Sequence, residues 1–368
     1  MKSYLEFERD IKDLDEELEK LKDPFNKEGL SEVETEKISN IQTQIDEKLK
    51  VSYSNLNEWQ ITQVARHEER PKAKFFIDAL FTNFINLSGD RRFAEDSAVI
   101  SGFAMFEGRS VLVIGQEKGE DLESRIERNF GMMRPEGYRK TIRLMKIANK
   151  FKIPIISFID TPGAYPGVGA EERGQAEAIS KSIECSMELT VPNISIIIGE
   201  GGSGGAIALA SSNKVIMLEN AIYSVISPEG CATILWRDPK KTLEASKAMK
   251  LSSKDLYDLK IIDEIIPEPT GGAHRDKDII LDNVRNSIRN NLNFFLNMNK
   301  EQILLHRKNK FLSIGRGRGL SSGTTSSDNL SMKTNVLNKF FNKFLNNKNY
   351  FIISILVTIL ILLYLFSL

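Results

Sequence analysis

The spacing of hydrophobic residues changes along the chain from a helical to a strand-like period, and this change predicts an α/β fold. In the first part, leucine and isoleucine recur at helical spacing between charged side chains, as in amphipathic helices. Further along, short runs of valine and isoleucine alternate with helical patterns. Strands that alternate with helices are typical of a parallel sheet covered by helices.

Residues 1–70 are predicted to form a helical region. Pro24 and Gly29 separate its first two helices, and an antiparallel pair with one shared apolar face is expected. The apolar residues that indicate this pair are Leu5, Ile11, Leu14, Leu18, Leu21, Val33, Ile38, Ile41, Ile45 and Leu49. The expected role of the pair is packing or subunit contact rather than ligand binding.

Residues 71–298 are predicted to form the main domain, in which strands and helices alternate. A helix at 58–66 ends the helical region, and a helix from Pro71 to Phe84 opens the main domain. The further predicted helices are at 137–150, at 171–189, after Pro228, after Pro239 and, as the closing helix, at 278–298. The predicted strands are two within 98–115 and one each at 155–160, 194–198, 214–218, 221–226 and 259–266.

A glycine-rich turn at residues 199–205, called here the Gly204 turn, lies between a predicted buried strand and a helix of small residues. Five of its seven residues are glycine. Glycine lets a ligand approach the main chain, and the first N–H groups of a helix have no intrahelical acceptor. These groups carry partial positive charge, so the turn is predicted to bind an anion or an oxygen on which negative charge develops.

A second turn of this kind follows the preceding predicted strand. Residues 161–169, called here the Gly163 turn, contain Gly163, Gly167 and Gly169 and lead into a helix near Glu171. Two such turns on consecutive strands suggest a reaction in which two partners each develop negative charge on oxygen.

Two side-chain motifs compete for the same glycines. Residues 199–204 match G-x-G-x-x-G, with Glu219 about twenty residues further on, which is the dinucleotide-binding pattern. The segment before the next strand is short for the helix that this pattern requires, and the motif lies late in the sheet.

The other motif is a nucleophile elbow. Gly201-Gly-Ser203-Gly-Gly205 matches G-x-S-x-G, and Asp263 and His274 follow in the order of a Ser, Asp, His triad. In so glycine-rich a segment this match carries little weight. The third interpretation is that the amides themselves are the catalytic groups and that Ser203 shapes the turn.

Composition narrows the class of protein. The formal net charge is zero, which argues against a general nucleic-acid-binding function. Two cysteines and three histidines supply no disulfide framework and no metal-ligand set, so no metal is expected in this chain. The amino terminus has no apolar signal segment, and the body of the protein is expected to be cytoplasmic.

The carboxyl-terminal part changes character. Residues 299–349 are rich in lysine, arginine, glycine and serine and are predicted to be a basic flexible linker. Residues 350–368 carry no charge and would span about 28 Å as a helix, close to the thickness of a bilayer core. We therefore predict a transmembrane tail that tethers the protein to the inner face of the cytoplasmic membrane. The alternative is an apolar tail that packs on a partner.

Five ordered runs of residues carry a resemblance to a known family. They lie at 120–140, 158–175, 199–206, 223–232 and 265–275. Together they resemble the α subunit of bacterial acetyl-CoA carboxylase carboxyltransferase over roughly residues 1–312. The chains of this family usually end near there, so the linker and the tail have no counterpart in the family pattern.

The resemblance implies a crotonase-like (ClpP/crotonase) fold of stacked ββα units with an amino-terminal helical extension. It also implies an α2β2 assembly with a β subunit, working with biotin carboxyl carrier protein and biotin carboxylase. The implied activity is transfer of the carboxyl group from carboxybiotin on the carrier protein to acetyl-CoA, which gives malonyl-CoA for fatty acid biosynthesis. A zinc ribbon belongs to the β subunit, in agreement with the lack of a metal site here.

The resemblance assigns the catalytic role to the amides of Gly204 and Gly205, which face the ureido oxygen of biotin. The neighbouring residues expected to line the substrate site are Gly201, Gly202, Ser203, Ala206, Gly163 and Ala164. The last two either line the biotin or acyl channel or only turn the chain. Alternatives are another acyl-CoA carboxyltransferase, a serine hydrolase acting through Ser203, and a membrane-tethered assembly subunit without activity.

Overall fold

A mixed sheet of eight strands forms the centre of the part of the chain that this computed structural model describes, residues 3–23 and 35–315. The strand order is β1-β2-β3-β4-β5-β6-β8, and β7 pairs with β5 off this path. The strands are β1 (Thr82–Asn86), β2 (Val99–Phe106), β3 (Arg109–Gln116), β4 (Ile155–Thr161), β5 (Asn193–Gly202), β6 (Lys214–Leu218), β7 (Ile222–Ser224) and β8 (Glu264–Ile266).

The sheet is antiparallel at one side and parallel from β3 onwards. Strands β1, β2 and β3 pair antiparallel, whereas β3 to β6, β7 and β8 pair parallel. The first half of β5 pairs with β6 and its last three residues pair with β7, so the long β5 contributes to two ladders. The carboxyl ends of β3, β4 and β5 therefore meet at one edge, which we call the carboxyl edge.

Helices cover the sheet and form the amino-terminal region. They are α1 (Arg9–Lys22), α2 (Thr35–Ser54), α3 (Glu58–Ala65), α4 (Ala73–Leu80), α5 (Leu122–Glu127), α6 (Pro135–Phe151), α7 (Val168–Glu172), α8 (Gln175–Glu188), α9 (Ser203–Ala210), α10 (Pro228–Trp236), α11 (Thr242–Met249), α12 (Ser253–Asp258), α13 (Lys277–Phe294) and α14 (Lys300–Ser313). Helix α6 begins and ends with residues typical of helix termini. Pro135 occupies its first turn, and Lys152 ends it with a backbone conformation in the left-handed region.

The core lies where the central strands are covered on both faces. Every residue of β4 and of β5 is buried, as expected for strands in the middle of a covered parallel sheet. Phe76 of α4 stacks on Phe158 of β4 with ring centroids 5.5 Å apart. The glycine turns at the ends of these two strands therefore start from a rigid base.

The predicted amino-terminal helical pair is confirmed as α1 and α2. Its apolar residues form a cluster of their own that includes Ile11, Leu18 and Ile45. The fully buried Glu8 accepts a hydrogen bond from Arg275 at 2.9 Å and another from the Tyr53 hydroxyl at 3.0 Å. A buried ion pair thus attaches the helical pair to the main domain.

Several predicted boundaries are wrong, and the strand predicted at 259–266 is only Glu264–Ile266. Phe84 lies in β1 and not in the fourth helix, because the chain becomes extended at Phe81 and pairs with β2. Aromatic residues at positions 75, 76 and 84 fit a helical period, and sheet pairing decides the outcome here. The closing helix also ends earlier than predicted, at Phe294.

The first part of the predicted flexible linker is a helix. Residues 300–313 form α14, and its Arg307 is fully buried and donates to the carbonyl oxygens of Leu189 at 2.6 Å and Val191 at 3.0 Å. The basic composition suggested a solvated segment, but this guanidinium satisfies buried backbone acceptors instead. The rest of the linker and the predicted tail at 350–368 lie outside the described residues.

No helix within residues 3–23 and 35–315 combines the length and the apolar character that a bilayer span requires.

One buried ion pair is expected to dominate the stability of the main domain. The Glu268 carboxylate has no exposed surface, pairs with Arg70 and accepts from the Ala273 N–H at 2.9 Å. We predict that Glu268→Gln lowers the free energy of unfolding by about 3–5 kcal/mol, because Arg70 is left buried without its counter-charge. Urea unfolding followed by circular dichroism measures this.

Glu184→Gln is the matched control, because the pair of Glu184 with Lys181 is about half exposed. This variant should unfold at the same urea concentration as the parent. Equal midpoints for the Glu268 and Glu184 variants would show that the buried pair contributes no more than a surface pair.

Candidate active site

Strand β5 passes directly into helix α9 at the carboxyl edge, without a connecting loop. The isoleucine-rich first half of β5 is a buried strand, as predicted, and Gly201 and Gly202 extend it in register with Tyr223 and Ser224 of β7. Ser203 makes the change of direction with a φ of 51°, in the left-handed region. This sharp turn places the start of α9 at the end of the strand.

The amides of Gly204 and Gly205 are available as donors. Both lie in the first turn of α9, where N–H groups have no intrahelical acceptor, and this helix has no side-chain cap. The buried side chain of Gln116 donates to the Gly205 carbonyl oxygen at 2.8 Å and so fixes the orientation of this segment. Two parallel donors at a helix start suit an oxygen that carries negative charge.

The other predicted members of this turn have different surroundings. Gly201 and Gly202 are buried within the strand, and Ala206 is fully buried inside α9. Ser203 is exposed. The structure therefore places Ser203 and Gly204 at the surface of the turn, whereas Gly205 is buried with the remaining residues.

The Gly163 turn packs on the Gly204 turn through backbone atoms. A Cβ atom at Gly205 would lie 2.6 Å from the Gly163 carbonyl carbon and 2.9 Å from the Ala164 nitrogen. The two turns can approach this closely only with glycine at position 205. The sequence placed both turns on consecutive strands, and the structure brings them into direct contact.

Gly163 itself uses its amide internally. Its N–H donates to the Thr161 hydroxyl at 3.2 Å, and that hydroxyl donates to the Gly163 carbonyl oxygen at 2.6 Å. Within the described residues the Ala164 N–H has no acceptor. Gly163 thus shapes the turn, and Ala164 is the member that presents a donor.

A buried ion network lies beside the two turns. Lys118, two residues beyond β3, contacts Asp160 of β4 at 2.8 Å and Glu200 of β5 at 2.6 Å. Glu200 also accepts from Arg66 at 2.6 Å, and its backbone N–H donates to Asp160 at 2.9 Å. We call Arg66, Lys118, Asp160 and Glu200 the edge network. It connects three strand ends and the end of α3.

Opposite charges decide the protonation of this network. Burial alone would raise the pKa of Glu200, but Lys118 and Arg66 outweigh burial and lower it to about 2. Glu200 is therefore an ion at neutral pH. The network also explains Gly199, because a Cβ atom there would lie 2.6 Å from the Asp160 carboxylate oxygen.

A cavity of about 370 Å³ adjoins the edge network. Pro162 of the Gly163 turn and Lys72 are among its walls, and burial lowers the pKa of Lys72 to about 8. Within the described residues, no group of histidine, cysteine and carboxylate side chains could hold a metal ion. The cationic side chains of Arg66, Lys118 and Arg125 line the cavity together with Lys72.

The geometry separates the residues of the candidate serine triad. Ile216 of β6 pairs with Glu264 of β8 on one side and with Ile196 of β5 on the other. Asp263 lies one residue before Glu264, and Ser203 lies seven residues after Ile196. At roughly 3.3 Å per residue this puts them about 25 Å apart along the strands. His274 stacks on His67, and burial lowers its pKa to about 2, so it is a poor proton acceptor at neutral pH.

The dinucleotide pattern is not a loop in the structure. Gly199 and Gly201 lie inside β5, so the fingerprint does not form the turn that would surround a pyrophosphate. The candidate residue Glu219 instead accepts a hydrogen bond from the Glu268 N–H at 3.1 Å.

Sequence reasoning missed Gln116 and the edge network. Asp160 carried a usable signal, since it is a carboxylate at the end of a buried strand just before a Pro-Gly turn. Lys118 and Arg66 carried none, because their roles depend on which strands and helices become neighbours.

Comparisons with known proteins agree with this picture. The model of the family "Acetyl co-enzyme A carboxylase carboxyltransferase-like" matches residues 4–315. The acetyl-coenzyme A carboxylase carboxyl transferase subunit alpha of Pelagibacter ubique is 73% identical over 348 residues, 95% of each chain. Its counterpart from Nitrobacter winogradskyi is 50% identical over 319 residues, 87% of this chain and 99% of that protein.

These alignments correct one expectation about the carboxyl-terminal extension. The alignment with the Pelagibacter protein covers 348 residues, whereas α14 ends at Ser313. The alignment therefore extends past α14, and the Pelagibacter protein shares part of the extension. The Nitrobacter protein is almost fully covered by 319 residues. The extension therefore has a counterpart in some members of the family and not in others.

The fold also resembles solved structures. A transcarboxylase 12S chain superposes with a TM-score of 0.51 and 18% identity over 65% of this chain, which spans 44% of that one. A chain of a Pseudomonas malonate decarboxylase hetero-tetramer superposes with a TM-score of 0.51 and 16% sequence identity. The superposition covers 63% of this chain and 93% of that one. At this identity the likeness concerns the fold alone, and it confirms the predicted crotonase-like architecture.

A family model that matches residues 4–315 and relatives at 50% to 73% identity lead to one conclusion. This chain belongs to the acetyl-coenzyme A carboxylase carboxyltransferase family, as an α subunit.

Proposed function

We propose that this chain, together with a carboxyltransferase β subunit, transfers the carboxyl group of carboxybiotin to acetyl-CoA and so forms malonyl-CoA. The assembly is α2β2, and biotin carboxylase and the biotin carrier protein supply the carboxylated cofactor. The observation that carries the proposal is the pair of first-turn N–H groups at Gly204 and Gly205, at the carboxyl edge beside the Gly163 turn.

When bound, carboxybiotin would supply the carboxyl group as CO2, which would bond to the methyl carbon of the acetyl group, and its ureido oxygen would accept the proton that this carbon loses. Gly204 and Gly205 donate their N–H groups to this oxygen where its negative charge develops. Gln116 holds the Gly205 peptide, so the donors need no reorganisation during the reaction. The thioester oxygen of acetyl-CoA carries the second negative charge, and its donors belong to the β subunit.

The edge network keeps the two turns in register. Asp160 binds the backbone of Glu200 and the side chain of Lys118, so the end of β4 and the end of β5 cannot separate without breaking buried ion pairs. The residues of this network line the adjoining cavity, and in our proposal they are positioning residues that hold the strand ends from which the turns start.

A direct test uses the complete assembly. The full chain mixed with its β subunit should convert malonyl-CoA to acetyl-CoA when biocytin is present, and the chain alone should not. Coenzyme A products separated by chromatography give the rate. Labelling of Ser203 by a fluorophosphonate, with no biocytin-dependent reaction, would favour the hydrolase alternative and contradict the proposal.

The close contact between the turns should make position 205 sensitive. In Gly205→Ala the new Cβ must displace the Gly163 turn, which misplaces a donor that elsewhere is worth about 100-fold to 1,000-fold in rate. We expect a loss of this size in turnover, while gel filtration still shows assembly with the β subunit.

Gly169→Ala is the matched control for this change. Its Cβ would meet only the flexible Arg173 side chain, at 3.1 Å, and its φ is not in the left-handed region. Turnover in this variant should stay near that of the parent. A Gly205→Ala enzyme as active as the Gly169→Ala enzyme would show that the contact has no part in the reaction.

The charge on Glu200 gives a pH-dependent prediction. Its pKa of about 2 in the folded chain lies below the ordinary 4.5, so its ionised form stabilises the fold at neutral pH and the contribution is lost as pH falls from 4.5 to about 2. We expect Glu200→Gln to be less stable than the parent at neutral pH, with the difference shrinking across that window. Urea unfolding at a series of pH values measures it. A difference that does not change with pH would contradict an ionised Glu200.

A further inference from the structure

A second cavity lies at the opposite edge of the sheet, where β3, β4 and β5 begin. Its volume is about 460 Å³, within the range of small-molecule sites. Pro154 and Pro192, each just before its strand, form one side, and the segment between α13 and α14 forms the other. Strand β5 is ten residues long, so this cavity is about 30 Å from the Gly204 turn.

The interior of this cavity is apolar. Val191, Leu292, Phe295, Leu296 and Ile303 line it, and four of the five are buried, the exception being Leu296 at 61% exposure. An alkyl chain placed here would be removed from water against aliphatic and aromatic side chains, at about 0.8 kcal/mol per methylene group.

The rim of the cavity is basic. Arg109, Lys152 and Lys300 line it at the start of β3, after α6 and at the start of α14. No carboxylate is among the lining residues, and within the described residues none of the three cations has an acidic side chain within ion-pair distance. The positive end of the α14 dipole lies at the same rim.

A buried cation adds to this charge from behind the wall. Arg307 is fully buried one turn after Ile303, and it donates to the carbonyl oxygen of Val191, which is itself a wall residue. Its hydrogen-bond partners are carbonyl and amide oxygens, and burial lowers its pKa to about 10. The apolar cavity therefore has a positive potential from two directions.

We propose that this cavity binds a fatty carboxylate, with the alkyl chain in the apolar interior and the carboxylate at the basic rim. Apolar walls alone would accept a neutral chain equally well, and a basic rim alone would accept any small anion. The combination selects a molecule that has both parts. The site is separate from the Gly204 turn, so a bound fatty carboxylate leaves the donors of that turn open.

The test uses the full chain in complex with its β subunit and isothermal titration calorimetry with dodecanoate below its micellar concentration. We expect saturable binding at one site per chain, and binding of dodecanol and of acetate that is at least about tenfold weaker. In the double variant Lys152→Glu with Lys300→Glu, the affinity for dodecanoate should fall at least about tenfold, because two cations of the rim become anions. Both side chains are exposed, so we expect the variant to fold.

Lys146→Glu with Lys150→Glu is the matched control. Both positions are exposed on α6 and neither lines the cavity, so the change in net charge is the same and dodecanoate affinity should be unchanged. Equal loss in both double variants would reduce the effect to overall charge and overturn the proposal. Equal affinity for dodecanol and dodecanoate, or no saturable binding of dodecanoate, would overturn it as well.

Discussion

The contact of the Lys118 ammonium group with the carboxylates of Asp160 and Glu200 is the constraint on which the carboxyl edge depends. Each of these residues lies at or just beyond the end of a different strand, so one buried cation joins three strand ends. The desolvation free energy of these buried charges is offset because each charge has an opposite charge beside it, and Arg66 supplies the second cation for Glu200. A geometry fixed by charges inside the protein is not weakened by solvent in the way that a surface pair is.

This arrangement divides the work between side chains and backbone. Ionic side chains hold the strand ends and line the adjoining cavity, while main-chain N–H groups lie at the start of α9. In our proposal this division accounts for the small number of histidines and cysteines in the chain. Backbone N–H groups are neutral donors that do not titrate near neutral pH, so their strength as donors depends on where they are placed.

Much of the architecture could be predicted from the pattern of residues alone, because β4 and β5 are largely apolar, β4 is followed by a Pro-Gly turn and β5 ends in two glycines. The contact between Gly205 and Gly163 could not, since it depends on how far two backbones approach after folding. The edge network was hidden for a similar reason: Lys118 and Arg66 are far apart in sequence, and both contact Glu200 only after the chain has folded. Helix α14 was missed because its basic residues suggested solvent, whereas Arg307 is inside.

The tight approach at Gly205 has a consequence at the level of the gene. Every missense change that a single nucleotide can make in a glycine codon introduces a residue with a Cβ atom, and that atom has no room here. No single-nucleotide missense change at this position therefore preserves the backbone contact between Gly205 and Gly163. A compound whose binding relies on this part of the backbone would therefore meet a surface that one-step mutation can alter only by disturbing the adjoining turn.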